Sequence, residues 1–341
     1  MKVVGIDIGG ANTDIAIIEV ENGELKDMKV ESRYLPMWLK KNELQKTLKE
    51  LLGKEIEAID GVGVTMTAEL ADAYKDKEEG VKDIIGKVEE VFNVPVAYVS
   101  LSGMLDAATA LKNPLEVAAA NWIATSQLAA AINKNCIMVD IGSTTTDIIP
   151  IKNGRECAKG RSDLERLSTG ELVYTGVLRN NLATIVDKVP LHGKWYRVSS
   201  ELFAITADIH LVLGNIDYKE YTCDTPDGAD KTIRDSMRRI ARLLCADLKL
   251  LNQQDIREIA AYIYHQQILK IAEAIKEVSD REKLNSIVTT GLGMNILGRK
   301  AAEILEMECR SMDEFLHPRA CIVAPAMGSA IMMGDHLTRE Y

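Results

Sequence analysis

No two of the six cysteines form a CxxC pair, and no two of the five histidines stand four residues apart. That argues against zinc ribbons and disulfide scaffolds, so the scattered thiols read as small buried hydrophobes in a reducing compartment. Basic residues are not in excess: 41 Lys and Arg face 51 Asp and Glu, for a net charge of −10. A nucleic-acid or anionic-membrane surface is therefore not expected as the main partner. Long apolar runs are missing too. The first meets Asp7 after a few residues and reads as a strand rather than a signal peptide. The most apolar later stretch, Ile322 to Met333, holds Pro325 and Gly328 and is too short to span a bilayer. No low-complexity tract or Pro/Gly/Ser linker divides the chain. What remains is an ordinary globular composition, 47% hydrophobic and 27% charged over 341 residues. The expectation is a soluble, cytoplasmic protein of two domains.

The chain contains an internal echo. The fourteen residues from Gly5 to Ile18 return 133 positions later as Met138 to Ile151, with seven identities in register, both aspartates and a glycine among them. A duplicated domain, each half opening with the same device, explains this. Each copy reads as strand, tight turn and returning strand: Val3–Ile6 and Ile15–Ile18, then Ile137–Val139 and Ile148–Ile151. Glycines and hydroxyls between the strands suit a turn whose backbone amides approach an anion. An Asp ending each first strand then makes sense with a cation between carboxylate and anion, and Mg²⁺ held through water fits. Two ordinary hairpins with Asp in the turn are the alternative.

Helical periodicity predicts helices over 43–52, 81–92, 116–132, 235–252 and 255–278. Near the end, Ser286–Thr290 reads as a strand entering a glycine turn and a helix over about 295–305. Cys321–Ala324 reads as a strand followed by a small-residue helix.

Five elements stand in a recognisable order: Asp7 to Thr13, a connecting helix from Glu116, Asp140 to Thr146, Thr290-Gly291-Leu292-Gly293, and the small-residue helix after Pro325. This order resembles the actin, sugar kinase and Hsp70 superfamily over the whole chain. The resemblance implies an α/β fold of two ribonuclease-H-like (actin-like ATPase) domains with an interdomain cleft. The expected first domain is 1–115 plus 325–341, and the second is 116–324 with an inserted region at about 155–235. Four further segments, Gly5–Thr13, Tyr34–Trp38, Gly170–Gly176 and Cys223–Gly228, resemble a narrower group within it. That group is the tetrahydromethanopterin-linked one-carbon proteins, related to the hydantoinases and oxoprolinases. Its archaeal members are similar to the condensing synthases of methanofuran biosynthesis.

The resemblance implies a transferase that joins the phenol of γ-glutamyltyramine to an aminomethylfuran-methyl diphosphate and releases diphosphate. Mg²⁺ is its expected cofactor, and ATP is not required. Alternatives on the same fold are an ATP-dependent small-molecule kinase and an ATP-binding regulatory protein. The expected partners are small molecules, and a homo-oligomer is left open. Asp7 and Asp140 are the carried-over metal-side and catalytic residues. Gly9, Gly10, Asn12, Thr13, Gly142, Ser143, Thr144, Thr145 and Thr146 form the expected diphosphate cradle. Gly291 and Gly293 line the place where relatives hold adenosine, or else make a helix-start turn. Asp14 and Asp147 read as turn caps, with a catalytic role as the alternative. Glu171 and Tyr174 are candidates for substrate contact or for packing. Asp224, Asp227 and Asp230 could bind a cation or an ammonium group, or form a solvated turn. Tyr34 to Trp38 could be an aromatic wall or a hydrophobic plug. The zinc-binding cysteine cluster of one large sugar-kinase group is absent, as are the iron–sulfur cysteines of the dehydratase activators. The chain is also well short of a full hydantoinase subunit.

Overall fold

Val3, Val4, Ile6 and Ile8 are all fully buried, and such a continuous apolar run forms the middle strand of a sheet covered on both faces. A computed structural model describes residues 1–21 and 24–339. Its first sheet consists of β1 (Lys2–Ile8), β2 (Asn12–Glu21), β3 (Glu24–Tyr34), β4 (Gly61–Met66), β5 (Val96–Ser100) and β6 (Gly103–Asp106), in the order β3-β2-β1-β4-β5-β6. The first three strands form an antiparallel meander. β4 then joins β1 in parallel, β5 joins β4 in parallel, and β6 turns back. This is the strand order of a ribonuclease-H-like sheet.

The echo in the sequence is an echo in topology. The second sheet holds β7 (Cys136–Ile141), β8 (Thr146–Lys152), β9 (Arg155–Glu156), β10 (Leu172–Val173), β13 (Ser286–Thr290) and β14 (Glu308–Ser311). Its order is β10-β8-β7-β13-β14, with β9 paired to β8, so β7 and β8 repeat the places of β1 and β2. A separate hairpin joins β11 (Lys188–Leu191) to β12 (Lys194–Arg197).

Two compact units result. The first comprises Met1–Met138, Ile149–Ser168 and Met312–Tyr341, and the second Val139–Ile148 and Thr169–Ser311. The boundary expected at residue 116 falls inside the first unit. In that unit, helix Ala324–Arg339 lies on β1 so closely that a Cβ on Gly5 would meet the Ala326 carbonyl oxygen at 1.8 Å. Small residues along 324–330 are what allow this approach. The second unit adds a core of its own, in which Leu182, Val189, Ile240, Ile256 and Ile263 pack among helices Thr206–Leu213, Ile233–Arg242 and Gln253–Glu282.

Several expected elements differ. The helix expected over 116–132 is two, Pro114–Val117 and Asn121–Ile132, because Ala119 takes a left-handed φ of 50° between them. The helix expected over 235–252 runs from Ile233 to Arg242. Cys245 then turns left-handed at φ 52°, and the Asp247 carboxylate caps a turn by accepting the Lys249 and Leu250 amides. Asn252 restarts the chain as the next helix by accepting the amides of Gln254 and Asp255. The strand expected at 321–324 is helical: Pro318 opens a short helix to Ile322, with the His317 ring accepting the Arg319 amide. A four-residue apolar run carries no period that separates strand from helix. Nor are the cysteines uniformly buried, since Cys245 is exposed while Cys157 and Cys309 are half-buried.

Candidate active site

β1 ends at Asp7-Ile8 and β2 returns from Asn12, leaving Gly9–Ala11 as the turn. The Gly9 amide donates to the Asn12 carbonyl at 2.9 Å; 133 residues on, the Gly142 amide donates to the Thr145 carbonyl at 3.0 Å. The two turns are thus closed by the same bond. The amides of Gly10 and Ala11, and of Ser143 and Thr144, have no backbone acceptor among the described residues. Successive free amides of this kind make a nest for an anion.

Each turn is clasped from outside. Leu35 and Met37 donate their amides to the carbonyls of Ala11 and Gly10, at 2.7 and 2.9 Å. Val177 donates to Gly142, and Leu178 and Arg179 both donate to Ser143, at 2.9–3.0 Å. The Tyr34–Trp38 segment is therefore a clasp, with Leu35, Pro36 and Met37 buried and Tyr34 and Trp38 partly so. On the second turn Asn180 adds two bonds, accepting the Gly176 amide at 2.7 Å and donating to the Thr144 carbonyl at 3.0 Å. A Cβ on Gly176 would stand 2.5 Å from the Thr144 nitrogen, so that position has no room for a side chain.

Carboxylates stand at both turns. Asp7 is 9% exposed and accepts the Thr65 hydroxyl at 2.8 Å. It lies directly opposite Asp14 across the β1–β2 pair. Burial, and then the charge of Asp7, push the Asp14 carboxyl up to about 7, although the Ser32 hydroxyl donates to it. Asp14, expected as a turn cap, is therefore half of a like-charged pair that a cation would relieve. In the second unit Asp140 is 8% exposed, and Asp147 is buried as well. Gly291, left-handed at φ 81°, backs onto Asp140: a Cβ there would sit 2.4 Å from its Oδ1. The Gly293 amide donates to the Ile141 carbonyl, so the 290–293 turn abuts the end of β7.

The threonines diverge. Thr146 is fully buried and its hydroxyl donates to the Thr175 carbonyl at 2.7 Å, which takes it out of the expected cradle. Its counterpart Thr13 is equally buried, but Oγ1 has no hydrogen-bond partner among the described residues. Thr144 Oγ1 lies 3.3 Å from both the Ser143 hydroxyl and Arg179 Nη1. Arg179 brings a cation to the second turn that sequence reasoning missed. Its only signal was a position three residues past Gly176, and nothing in the sequence says that the chain returns there onto the turn. Thr145 is partly exposed beside them.

Other candidates have structural partners. Glu171 is fully buried, paired to Arg281 at 2.5 Å and accepting the Thr169 hydroxyl at 2.8 Å, so it is a brace and not a substrate contact. Tyr174 is 65% exposed and lends its backbone carbonyl to Asn180. Asp227 binds both Arg239 and Arg242, at 3.1 and 2.8 Å, so it supports the loop rather than waiting for a cation.

Among the described residues no three His, Cys, Asp or Glu side chains gather as a metal cage. The donor set suits an ion that keeps most of its water and takes one carboxylate with phosphate oxygens, which is Mg²⁺ chemistry. The orphaned Thr13 hydroxyl, the free amides and the Asp7–Asp14 pair fit such a group. No helix among the described residues is long and apolar enough to cross a membrane.

Known proteins agree with this architecture. A ROK-family glucokinase from Streptomyces griseus superposes with a TM-score of 0.50 at 13% identity, covering all of both chains. A putative N-acetylmannosamine kinase from Listeria monocytogenes gives 0.50 at 12%, covering 98% of this chain and all of that one. These likenesses concern the fold. In sequence, the chain is 46% identical over 299 residues to the (4-{4-[2-(γ-L-glutamylamino)ethyl]phenoxymethyl}furan-2-yl)methanamine synthase of Methanocaldococcus jannaschii, covering 87% of this chain and 88% of that protein. The synthase of the same name from Methanococcus vannielii is 41% identical over 61% of this chain and 95% of its own length. The hydantoinase/oxoprolinase family profile matches residues 60–336, and the chain belongs to that family.

Proposed function

We propose that this protein is a transferase of methanofuran biosynthesis. It condenses an aminomethylfuran-methyl diphosphate with the phenol of γ-glutamyltyramine. The 46% identity to the Methanocaldococcus jannaschii synthase over 87% of the chain carries the reading. The chemistry of the turns supports it. In the reaction the bond from the furan methylene to the diphosphate oxygen breaks, and diphosphate leaves with the electron pair. The phenol oxygen forms the new ether bond and its proton is released. The furan ring oxygen shares the positive charge that develops on the methylene, so the chain's main task is to stabilise the leaving group. In the second unit the free amides at Ser143–Thr144 would donate to diphosphate oxygens and Arg179 would add a charge-assisted donor; in the first, the Gly10–Ala11 amides make a nest of the same kind. Asp7 and Asp140, each at its own turn, are the residues that would hold Mg²⁺ through water, and the ion would supply charge to neutralise the diphosphate. Gly9, Asn12, Gly142 and Thr145 shape the turns through their closing bonds.

A pyrophosphate-release assay with Mg²⁺, the furan diphosphate and γ-glutamyltyramine, run with and without ATP, tests the reading. Release that needs both substrates and ignores ATP is expected. ATP turnover that depends on an acceptor would instead assign a kinase, and tight ATP binding without turnover a regulatory protein.

A further inference from the structure

The second unit contains a cavity of about 940 Å³ that the phosphate turns do not line. Its size is within the range of small-molecule sites, roughly 300–1,000 Å³. The end of helix Thr206–Leu213 supplies Leu211, and the following segment supplies Ile216. Both are buried, while Tyr218 and Ile233 at the lining are 64% and 48% exposed, so the mouth is open. Charge of both signs borders this apolar wall: Lys231 on one segment, and on the other Asp217 and Glu220, whose turn is held by carboxylate oxygens accepting the Lys219, Glu220 and Asp217 amides at 2.6–3.0 Å.

The two segments bracket Cys223–Gly228, the family-resembling stretch that leaving-group chemistry leaves unexplained. That stretch is braced from beneath. Fully buried Arg239 pairs with fully buried Asp208 at 2.8 Å and with Asp227 at 3.1 Å, and Thr225 donates to the Ala229 carbonyl at 2.8 Å. Lys231 is held with its ammonium 5.5 Å from the Tyr221 ring centre, and the Tyr221 hydroxyl donates to Asp208. The rim is therefore built rather than loose.

Two backbone hydrogen bonds tie the helix that carries Leu211 to the second phosphate turn within the same unit. Leu211 stands one helical turn, about 6 Å, beyond Ala207. The Ala207 amide donates to the Leu178 carbonyl, and the Leu178 amide to Ser143. Cys223, between the two cavity segments in the chain, is buried.

We propose that this cavity binds the acceptor substrate, an arylethylamide that ends in a zwitterionic amino-acid group. Leu211, Ile216 and Tyr218 take the aryl-ethyl part. Lys231 meets the α-carboxylate, and Asp217 with Glu220 meets the α-ammonium. The proposal rests on the synthase reading for the identity of the acceptor.

The test is calorimetric titration of the whole protein with γ-glutamyltyramine alone, together with steady-state kinetics. The variants Ile233→Trp, which fills the open mouth, and Lys231→Glu change residues outside the core. Saturable binding is expected in the wild type, weakened about ten-fold or more in each variant, with melting temperatures unchanged. In turnover, KM for the acceptor should rise while KM for the furan diphosphate holds. Equal acceptor affinity in all three proteins overturns the cavity assignment, as does no acceptor binding to the wild type. Displacement of the acceptor by adenosine would overturn it too and make the cavity a nucleoside site. Ether formation with unaltered acceptor KM in both variants sinks the cavity and leaves the synthase standing. Acceptor binding lost in the variants, in a protein that forms no ether, sinks the synthase and leaves the cavity.

Discussion

Aspartates 7 and 14 face each other because a seven-residue strand turns back on itself after three residues; burial first, and the Asp7 charge after it, raise the Asp14 carboxyl to about 7. Such a pair stores unfavourable charge that a bound cation would release. Arg179 has the complementary position at the other turn, where its guanidinium meets Thr144. Arg179→Ala is expected to raise KM for the furan diphosphate about ten-fold, since charge-assisted bonds are worth roughly twice neutral ones. Arg179→Lys should recover only part of the loss, because lysine keeps the charge and loses the fork. Initial rates over a diphosphate series check both, and an unchanged KM in the alanine variant would remove Arg179 from the site.

Elements inherit these constraints. Helix Thr206–Leu213 carries fully buried His210, whose Nε2 meets Gln267 at 3.1 Å and whose Nδ1 meets Asn215 at 3.0 Å. Gln267 in turn donates to Thr175 and Gly176, the strip that clasps the second turn. Burial pulls the His210 imidazole down to about 4. The unfolded chain takes a proton near pH 6.5 and the folded one does not until about 4, so stability falls as pH drops through that window. Linkage puts the loss on the order of 3 kcal/mol at most. Urea midpoints between pH 7 and 4.5 should show this slope, and His210→Asn should flatten it. A glycine inside β1 and one in the turn after it behave differently. Gly5→Ala drives a Cβ into helix Ala324–Arg339 and should cost about 1–3 kcal/mol. Gly10→Ala meets nothing within 4 Å and should change stability by less than about 0.5 kcal/mol. Thermal melts of the two variants decide between tight packing and simple turn preference.

At the scale of the whole molecule, a ligand held by the folded chain alone must stabilise it. Pyrophosphate with Mg²⁺ is expected to raise the melting temperature, by about 2.7 kcal/mol of stability at a hundred times its dissociation constant. Asp7→Asn and Asp140→Asn should lose that rise and slow turnover by about 10²-fold or more; without ligand Asp140→Asn should melt like the wild type and Asp7→Asn no lower than it, since the repulsion on Asp14 is gone. A full ligand-induced rise in both variants would remove the aspartates from metal binding. Scanning calorimetry with and without the ligand provides the comparison.

The apolar strands, the two aspartate-glycine turns and their 133-residue repeat were legible in the sequence, because local pattern and duplication are properties of the chain itself. The two-domain α/β fold came with the family resemblance, which the order of the motifs and segments such as Tyr34–Trp38 and Gly170–Gly176 carry. What those segments do was not legible: Leu35 and Met37 clasp the first turn through backbone bonds, and Gly170–Gly176 leads into Val177–Arg179, whose amides clasp the second, which no side-chain pattern records. Nor could the sequence separate Thr13 from Thr146, which hold equivalent places in the repeat. Only the packing around them decided that Thr146 donates to Thr175 while the Thr13 hydroxyl is left unpaired. Glu171 and Asp227 had packing or solvated-turn readings beside the functional ones as sequence and became ion pairs once Arg281 came back from 110 residues on, and Arg239 and Arg242 from the next helix. Sequence determines which groups exist and what strands and turns they favour. Tertiary structure decides which of them are already occupied, because a hydrogen bond or ion pair belongs to whichever partner the fold delivers.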